Sequence, residues 1–110
     1  MFSITKIIIA LNLAVGPAIA FSGDMTYYNP GLGACGETNG NNDAVVALSA
    51  ARSGDCGKQI KIQHDGKTAT ATVVDKCAGC AEDSIDVSPA VFQQLAELSE
   101  GRVQVTWEFA

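Results

Sequence analysis

The chain is short of positive charge. Its 110 residues carry seven Lys and Arg against twelve Asp and Glu, for a formal net charge of −5. Nucleic-acid binding needs a basic stripe that displaces counterions from phosphates, and none is present, so a nucleic-acid partner is excluded. An anionic membrane surface is disfavoured for the same reason. Histidine is scarcer still, with His64 alone. No Ser–His–Asp or Cys–His set can be argued around it, and its place before Asp65-Gly66 marks a solvated turn residue. No internal repeat is visible. A neutral polymer, such as a polysaccharide, or a protein partner remains open.

The one sustained apolar run, Ile7 to Val15, is too short for a bilayer span of ~20 residues. It follows Lys6 and leads into Ala18-Ile19-Ala20, the small-residue pattern of a cleavage site. Residues 1–20 therefore read as a signal peptide cut after Ala20. Residues 21–110 are left as one secreted, extracellular domain. So small a domain buries only ~60–65% of its unfolded surface, and cross-links help it. Cys35, Cys56, Cys77 and Cys80 all lie in this part. An even cysteine count in a secreted chain reads first as two structural disulfides. Cys77-Ala78-Gly79-Cys80 has the spacing of half a zinc site, but Cys35 and Cys56 form no second close pair. A redox-active reading of the same pair lacks the helix N-terminus and βαβ context that lower a thiol pKa. No metal and no cofactor are expected, and the domain is expected to be monomeric. Sequence alone leaves all three disulfide pairings open.

Short strands dominate the pattern. Asp24–Tyr28, Ala44–Ser49, Gln59–His64 and Thr68–Val74 read as extended, with Asp65-Gly66 as the tight turn of a hairpin. In the last strand Val103, Val105, Trp107 and Phe109 alternate with Gln104, Thr106 and Glu108, which sets Trp107 in the core. Residues 29–42 are rich in Gly, Asn and Pro and read as a long loop. Ser88 and Pro89 suit a helix start, and Val91, Leu95 and Leu98 give one apolar stripe ending at Gly101. About six strands with one helix predict a mainly-β barrel.

Five segments in order then resemble a known family. They are Gly23-Asp24-Met25-Thr26-Tyr27-Tyr28 with Gly33-Ala34-Cys35-Gly36; Cys56-Gly57-Lys58; Val74-Asp75-Lys76-Cys77-Ala78-Gly79-Cys80; Ile85-Asp86-Val87-Ser88-Pro89-Ala90-Val91-Phe92; and Gly101-Arg102 to Phe109. Together they cover nearly all of residues 21–110. The chain resembles the expansin-related, loosenin-like proteins, a group with barwin-like, rare lipoprotein A-like and papain-inhibitor relatives. The resemblance implies a six-stranded double-psi β-barrel with one or two short helices. It also implies Cys35–Cys56, which leaves Cys77–Cys80.

The resemblance assigns roles as well. Asp86 matches the aspartate that lines the family's polysaccharide groove and is the general acid of related family-45 endoglucanases. Asp75 matches a second groove aspartate and Thr26 a groove threonine. Tyr27 and Tyr28 are adjacent and point to opposite faces of a strand, so one of them is available to a sugar ring. Inverting hydrolysis needs a second carboxylate at ~6.5–9.5 Å to activate water. The family-45 base follows the first-strand motif, where this chain has Tyr28-Asn29-Pro30 and no acid. An acid without that base is the pattern of a non-hydrolytic protein that loosens cellulose or chitin, with Asp75 the one substitute base in reach. One competing expectation is a protein-binding module, such as a papain-type protease inhibitor or a host-directed effector, that works through residues 29–43 and 50–55. Another, ranked last, is a glycan-cleaving lytic transglycosylase resembling rare lipoprotein A with Asp86 as its acid, against which stands Asp75-Lys76-Cys77-Ala78 in place of that family's Asp-Arg-Gly-Pro.

Overall fold

The computed structural model describes residues 19–52 and 54–110. The leader expected over 1–20 lies, apart from residues 19 and 20, outside the described residues. Six strands form one closed barrel: β1 (Phe21–Tyr27), β2 (Val45–Ser49), β3 (Gln59–His64), β4 (Lys67–Cys77), β5 (Ile85–Val87) and β6 (Arg102–Phe109). Their order around the barrel is β1-β5-β2-β4-β3-β6. β1 runs parallel to β5 and β2 parallel to β4, and the other pairs are antiparallel.

Alternation fills the inside. Met25, Val46, Leu48, Ile60, Ile62, Ile85, Val87, Val105 and Trp107 all point into one core. Helix α1 (Pro89–Leu95) adds Val91, Phe92 and Leu95 to it. Trp107 is buried as its alternation predicts, and its indole N–H donates to the Asp83 carbonyl at 2.9 Å. Phe21, Trp107 and Phe109 pack together near the start of β1. The Arg52 guanidinium lies 4.0 Å over the Phe21 ring and pairs with Asp83 at 2.6 Å.

Two expectations need correction. The helix does not run on to Gly101. Ser88 caps it as expected, accepting from the Val91 N–H, but Ala96 is extended (φ −156°, ψ 173°) and ends it after Leu95. Glu97 and Glu100 then cap each other across a separate 3-10 turn, Leu98–Glu100, and Gly101 closes that turn at φ 69°. The helical spacing of Leu98 was thus met by two short helices, with Leu98 still packed on the core. The second correction concerns β4. It does not stop at Val74 but continues to Cys77 through a bulge. Val46 pairs with Val73 and Ala47 with Asp75, so Val74 is the additional residue on β4.

Both disulfides match the pairing implied by the resemblance, Cys35–Cys56 and Cys77–Cys80. Cys35–Cys56 joins the loop before β2 to the loop before β3 across 21 positions of sequence. Cys77–Cys80 closes only a tight turn, with the Cys80 N–H on the Cys77 carbonyl at 3.3 Å. Chain-entropy arguments give about 3 kcal/mol for the longer loop and about 2 kcal/mol for the shorter. Removing Cys35 and Cys56 together as serines is expected to destabilise the domain more than the same change at Cys77 and Cys80. Urea unfolding midpoints of the two double variants check the order.

Candidate functional site

The barrel's register builds a line of side chains across its outer face. Arg102 on β6 pairs with Thr26 on β1. Thr26 pairs with Asp86 on β5. Asp86 pairs with Ala47 on β2, and Ala47 with Asp75 on β4. At ~4.8 Å per strand this strip is roughly 19 Å long, and the two aspartates sit two strands apart, roughly 10 Å between Cα atoms. Ile85 and Val87 are fully buried, so Asp86 between them faces out. Asp75 reaches the same face only because Val74 bulges. In an unbulged ladder, with Val74 paired like its neighbours, the two-residue period would turn Asp75 inward.

The two carboxylates are held differently. Asp86 accepts one bond, from the Thr26 hydroxyl at 2.9 Å. Asp75 is tied down: one oxygen accepts the Ala34 and Lys76 backbone N–H groups, both at 2.8 Å. Its other oxygen receives the Tyr28 hydroxyl at 3.5 Å, the long limit of a hydrogen bond. The bond to Ala34 fastens the Cys35 loop to β4. Gly33 makes that approach possible, because a Cβ there would lie 2.3 Å from the Val74 carbonyl oxygen.

Burial raises the Asp86 pKa above the ordinary carboxylate value. The Thr26 hydrogen bond and the Arg102 charge oppose the rise, and the Asp75 charge adds to it. Burial likewise pushes the Tyr28 phenol up to about 12, helped by the charges of Asp75 and Asp86 and the bond to Asp75. Tyr28 is therefore a proton donor at any ordinary pH. Tyr27 is not brought to the strip. Its ring packs on Phe92 and its hydroxyl donates to the Leu98 carbonyl at 3.0 Å.

Thr26, Tyr28, Asp75 and Asp86 thus form one cluster. The sequence reading missed Arg102, which faces Asp86 and pairs with Asp24 at 2.9 Å. Its place depends on β1 lying beside β6, which no local pattern encodes. A cavity of about 420 Å³ opens beside the strip, lined by Thr26, Arg102, Asp24, Ser84 and the Cys77–Cys80 clip. Two larger depressions, about 520 and about 590 Å³, flank the β3–β4 hairpin and touch none of the strip. Among the described residues, no three His, Cys, Asp or Glu side chains gather as metal ligands, and no helix is long and apolar enough to cross a membrane.

A family model described as lytic transglycolase matches residues 20–107. The chain belongs to this double-psi β-barrel family. Within it, the chain is 36% identical to a papain inhibitor of Streptomyces mobaraensis, over 90% of this chain and 82% of that protein. The solved Streptomyces papain inhibitor superposes with a TM-score of 0.76 at 34% identity, covering 86% of this chain and 97% of that one. An allergen Asp f 7 homolog of Arthroderma benhamiae is 47% identical over 73% of this chain, but the match spans only 32% of that longer protein. A Clavibacter michiganensis expansin, solved as an aspartate-to-asparagine variant with cellohexaose, superposes with a TM-score of 0.77 at 20% identity. That match covers 84% of this chain and 50% of the expansin. At that identity the likeness is one of fold. Membership in the family fixes the double-psi barrel and leaves its reaction and ligand open.

A carboxyl whose folded pKa is raised binds its proton more tightly folded than unfolded. Protonation then favours folding, so the contribution of Asp86 to stability falls as pH rises from the unfolded to the folded pKa. Asp86→Asn keeps an acceptor for Thr26 and removes the charge. The variant is expected to melt higher than wild type at pH 7, with the gap closing below the ordinary carboxylate range. Calorimetric melting temperatures from pH 3 to 7 test this, and a lower melting point for the variant at pH 7 would contradict it.

Proposed function

We propose that this chain is a secreted, non-hydrolytic protein of the expansin and loosenin kind, which binds and loosens cellulose or chitin in cell walls. The observation that carries the reading is the outer strip Arg102–Thr26–Asp86–Ala47–Asp75 with Tyr28 beside it. Hydrogen-bonding groups on the adjacent strands β6, β1 and β5, namely Arg102, Thr26 and Asp86, suit an extended chain of neutral sugars. Asp86 is the only carboxylate of the strip free of backbone donors, and its raised pKa suits it to share a proton with a sugar hydroxyl. Asp75 is a poor water-activating base, because two backbone N–H groups hold one oxygen and the Tyr28 hydroxyl approaches the other. An acid without a free base fits binding rather than hydrolysis. The expansin solved with cellohexaose shares this fold and supports a glycan ligand.

The wild-type protein is expected to weaken filter paper or chitin sheets without releasing reducing sugar. Asp86→Asn is expected to weaken them about tenfold less, the scale of one lost charged hydrogen bond. Equal weakening by variant and wild type sinks this reading.

A second reading, a protein-binding inhibitor of papain-type proteases, is favoured by Leu32. This side chain is 76% exposed. It sits in a finger held by the Leu32–Thr38 bridge, the Gly33 N–H on the Glu37 carbonyl and the nearby Cys35–Cys56 disulfide. A rigid apolar tip needs little ordering to enter an apolar pocket. The papain-inhibitor relative supports the same reading. If it holds, the protein inhibits papain at micromolar concentration and Leu32→Asp raises the inhibition constant roughly tenfold or more. Absence of inhibition by the wild type removes it.

We further propose that the leader is removed after Ala20. β1 then begins at the new N-terminal residue, Phe21, which is anchored by Trp107 and Arg52. The intact mass of the secreted protein should match residues 21–110 with two disulfides.

A further inference from the structure

The depression of about 520 Å³ beside the β3–β4 hairpin lies against a second line of side chains. Ser22 on β1 pairs with Thr106 on β6. Thr106 pairs with Gln63 on β3, and Gln63 with Thr68 on β4. All four are exposed, and none carries a charge. Their neighbours are otherwise engaged. Gln104 donates its amide to Asp24, while the His64 ring is fixed on the Gln104 carbonyl at 2.7 Å. The four members of the line are left free to bond outward. At ~4.8 Å per strand the line is roughly 14 Å long. The β3–β4 turn, His64 to Lys67, rises at one side and makes the surface concave. Asp65 and Lys67 on that turn offset each other in charge.

This surface offers hydroxyls and amides with no net charge. A charged ligand would find no counter-ion in the line, and an apolar one would strand its polar groups. A neutral polyol chain matches it, since each sugar hydroxyl both donates and accepts. The two lines also diverge around the barrel. The first leaves β1 through β5 and β2, and the second leaves β6 through β3.

We propose that the Ser22–Thr106–Gln63–Thr68 face is a second glycan-binding site, so that one barrel holds two polysaccharide chains on different sides. The inference rests on the glycan reading of the Asp86 strip and extends it. Two weak sites on one rigid body give avidity for a network of chains that neither site gives alone. A barrel seated between two chains also holds them apart, which is a physical route to loosening without bond cleavage.

The test is to titrate the isotope-labelled secreted protein with cellohexaose and with chitohexaose, following backbone amide resonances. Dose-dependent shifts are expected at Gln63, Thr68 and Thr106 as well as at Thr26 and Asp86. The double variant Q63A/T106A should lose the first set and keep the second. Shifts confined to Thr26 and Asp86 overturn the second site and leave the glycan reading standing. Shifts confined to Gln63, Thr68 and Thr106 overturn the Asp86 strip as a ligand surface and with it the two-chain barrel, leaving a single glycan site on this face. No shifts with either sugar overturn both. The wild-type titration alone decides, so a folding defect in the variant costs nothing.

Discussion

Everything in this domain hangs on a strand of three residues. Ile85–Val87 lies between β1 and β2, parallel to one and antiparallel to the other. Without it the barrel would be open between those two strands, with two rows of unpaired N–H and C=O groups. Ile85 and Val87 are fully buried and fix the strand by packing. Asp86 is held between them by the same two contacts that close the barrel. The outward aim of the acid is therefore not an adjustable feature. Any shift of Asp86 to the other face would expose both neighbours and bury a carboxylate, which is costly on both counts.

The two aspartates show how environment divides one residue type into two roles. Asp75 is tied by backbone donors and serves as a rivet between β4 and the Cys35 loop. Asp86 has one hydroxyl partner and a raised pKa, so it retains chemistry. Tyr28 sits under the influence of both charges and stays protonated. The strip thus offers a ready donor and a carboxyl biased toward holding its proton, set beside an Arg102 cation shared with Asp24.

Much of this was legible in the residues. The alternation in β3 and β6, the Asp65-Gly66 turn and the Ser88-Pro89 helix start each rest on local chemistry, and each stands where expected. The fate of Trp107 followed from the same two-residue period. The family resemblance supplied what local pattern cannot, namely the closed topology and the disulfide pairing. Three features stayed hidden. The break at Ala96 leaves the helical spacing of Leu98 intact, so periodicity alone does not reveal it. The bulge at Val74 is a property of two strands together, not of β4 alone. Arg102 joins the strip through a partner 76 positions away in sequence, Thr26. Pairings that distant leave no trace in a local window.

The bulge bears on how such barrels diversify. In β4 the phase of the whole C-terminal half is set by one residue, Val74, that has no partner on β2 and whose carbonyl instead accepts the Cys35 N–H. Drawing Val74 into the ladder would turn Asp75 toward the interior and withdraw the anchor of the Cys35 loop, whereas deleting Val74 would leave a regular ladder with Asp75 still facing out. The chemistry of this face is thus encoded in which residue of β4 is left out of the ladder as much as in its letters. A related barrel one residue shorter here can keep the same outward aspartate with a regular ladder, so strand length says little until the pairing is known.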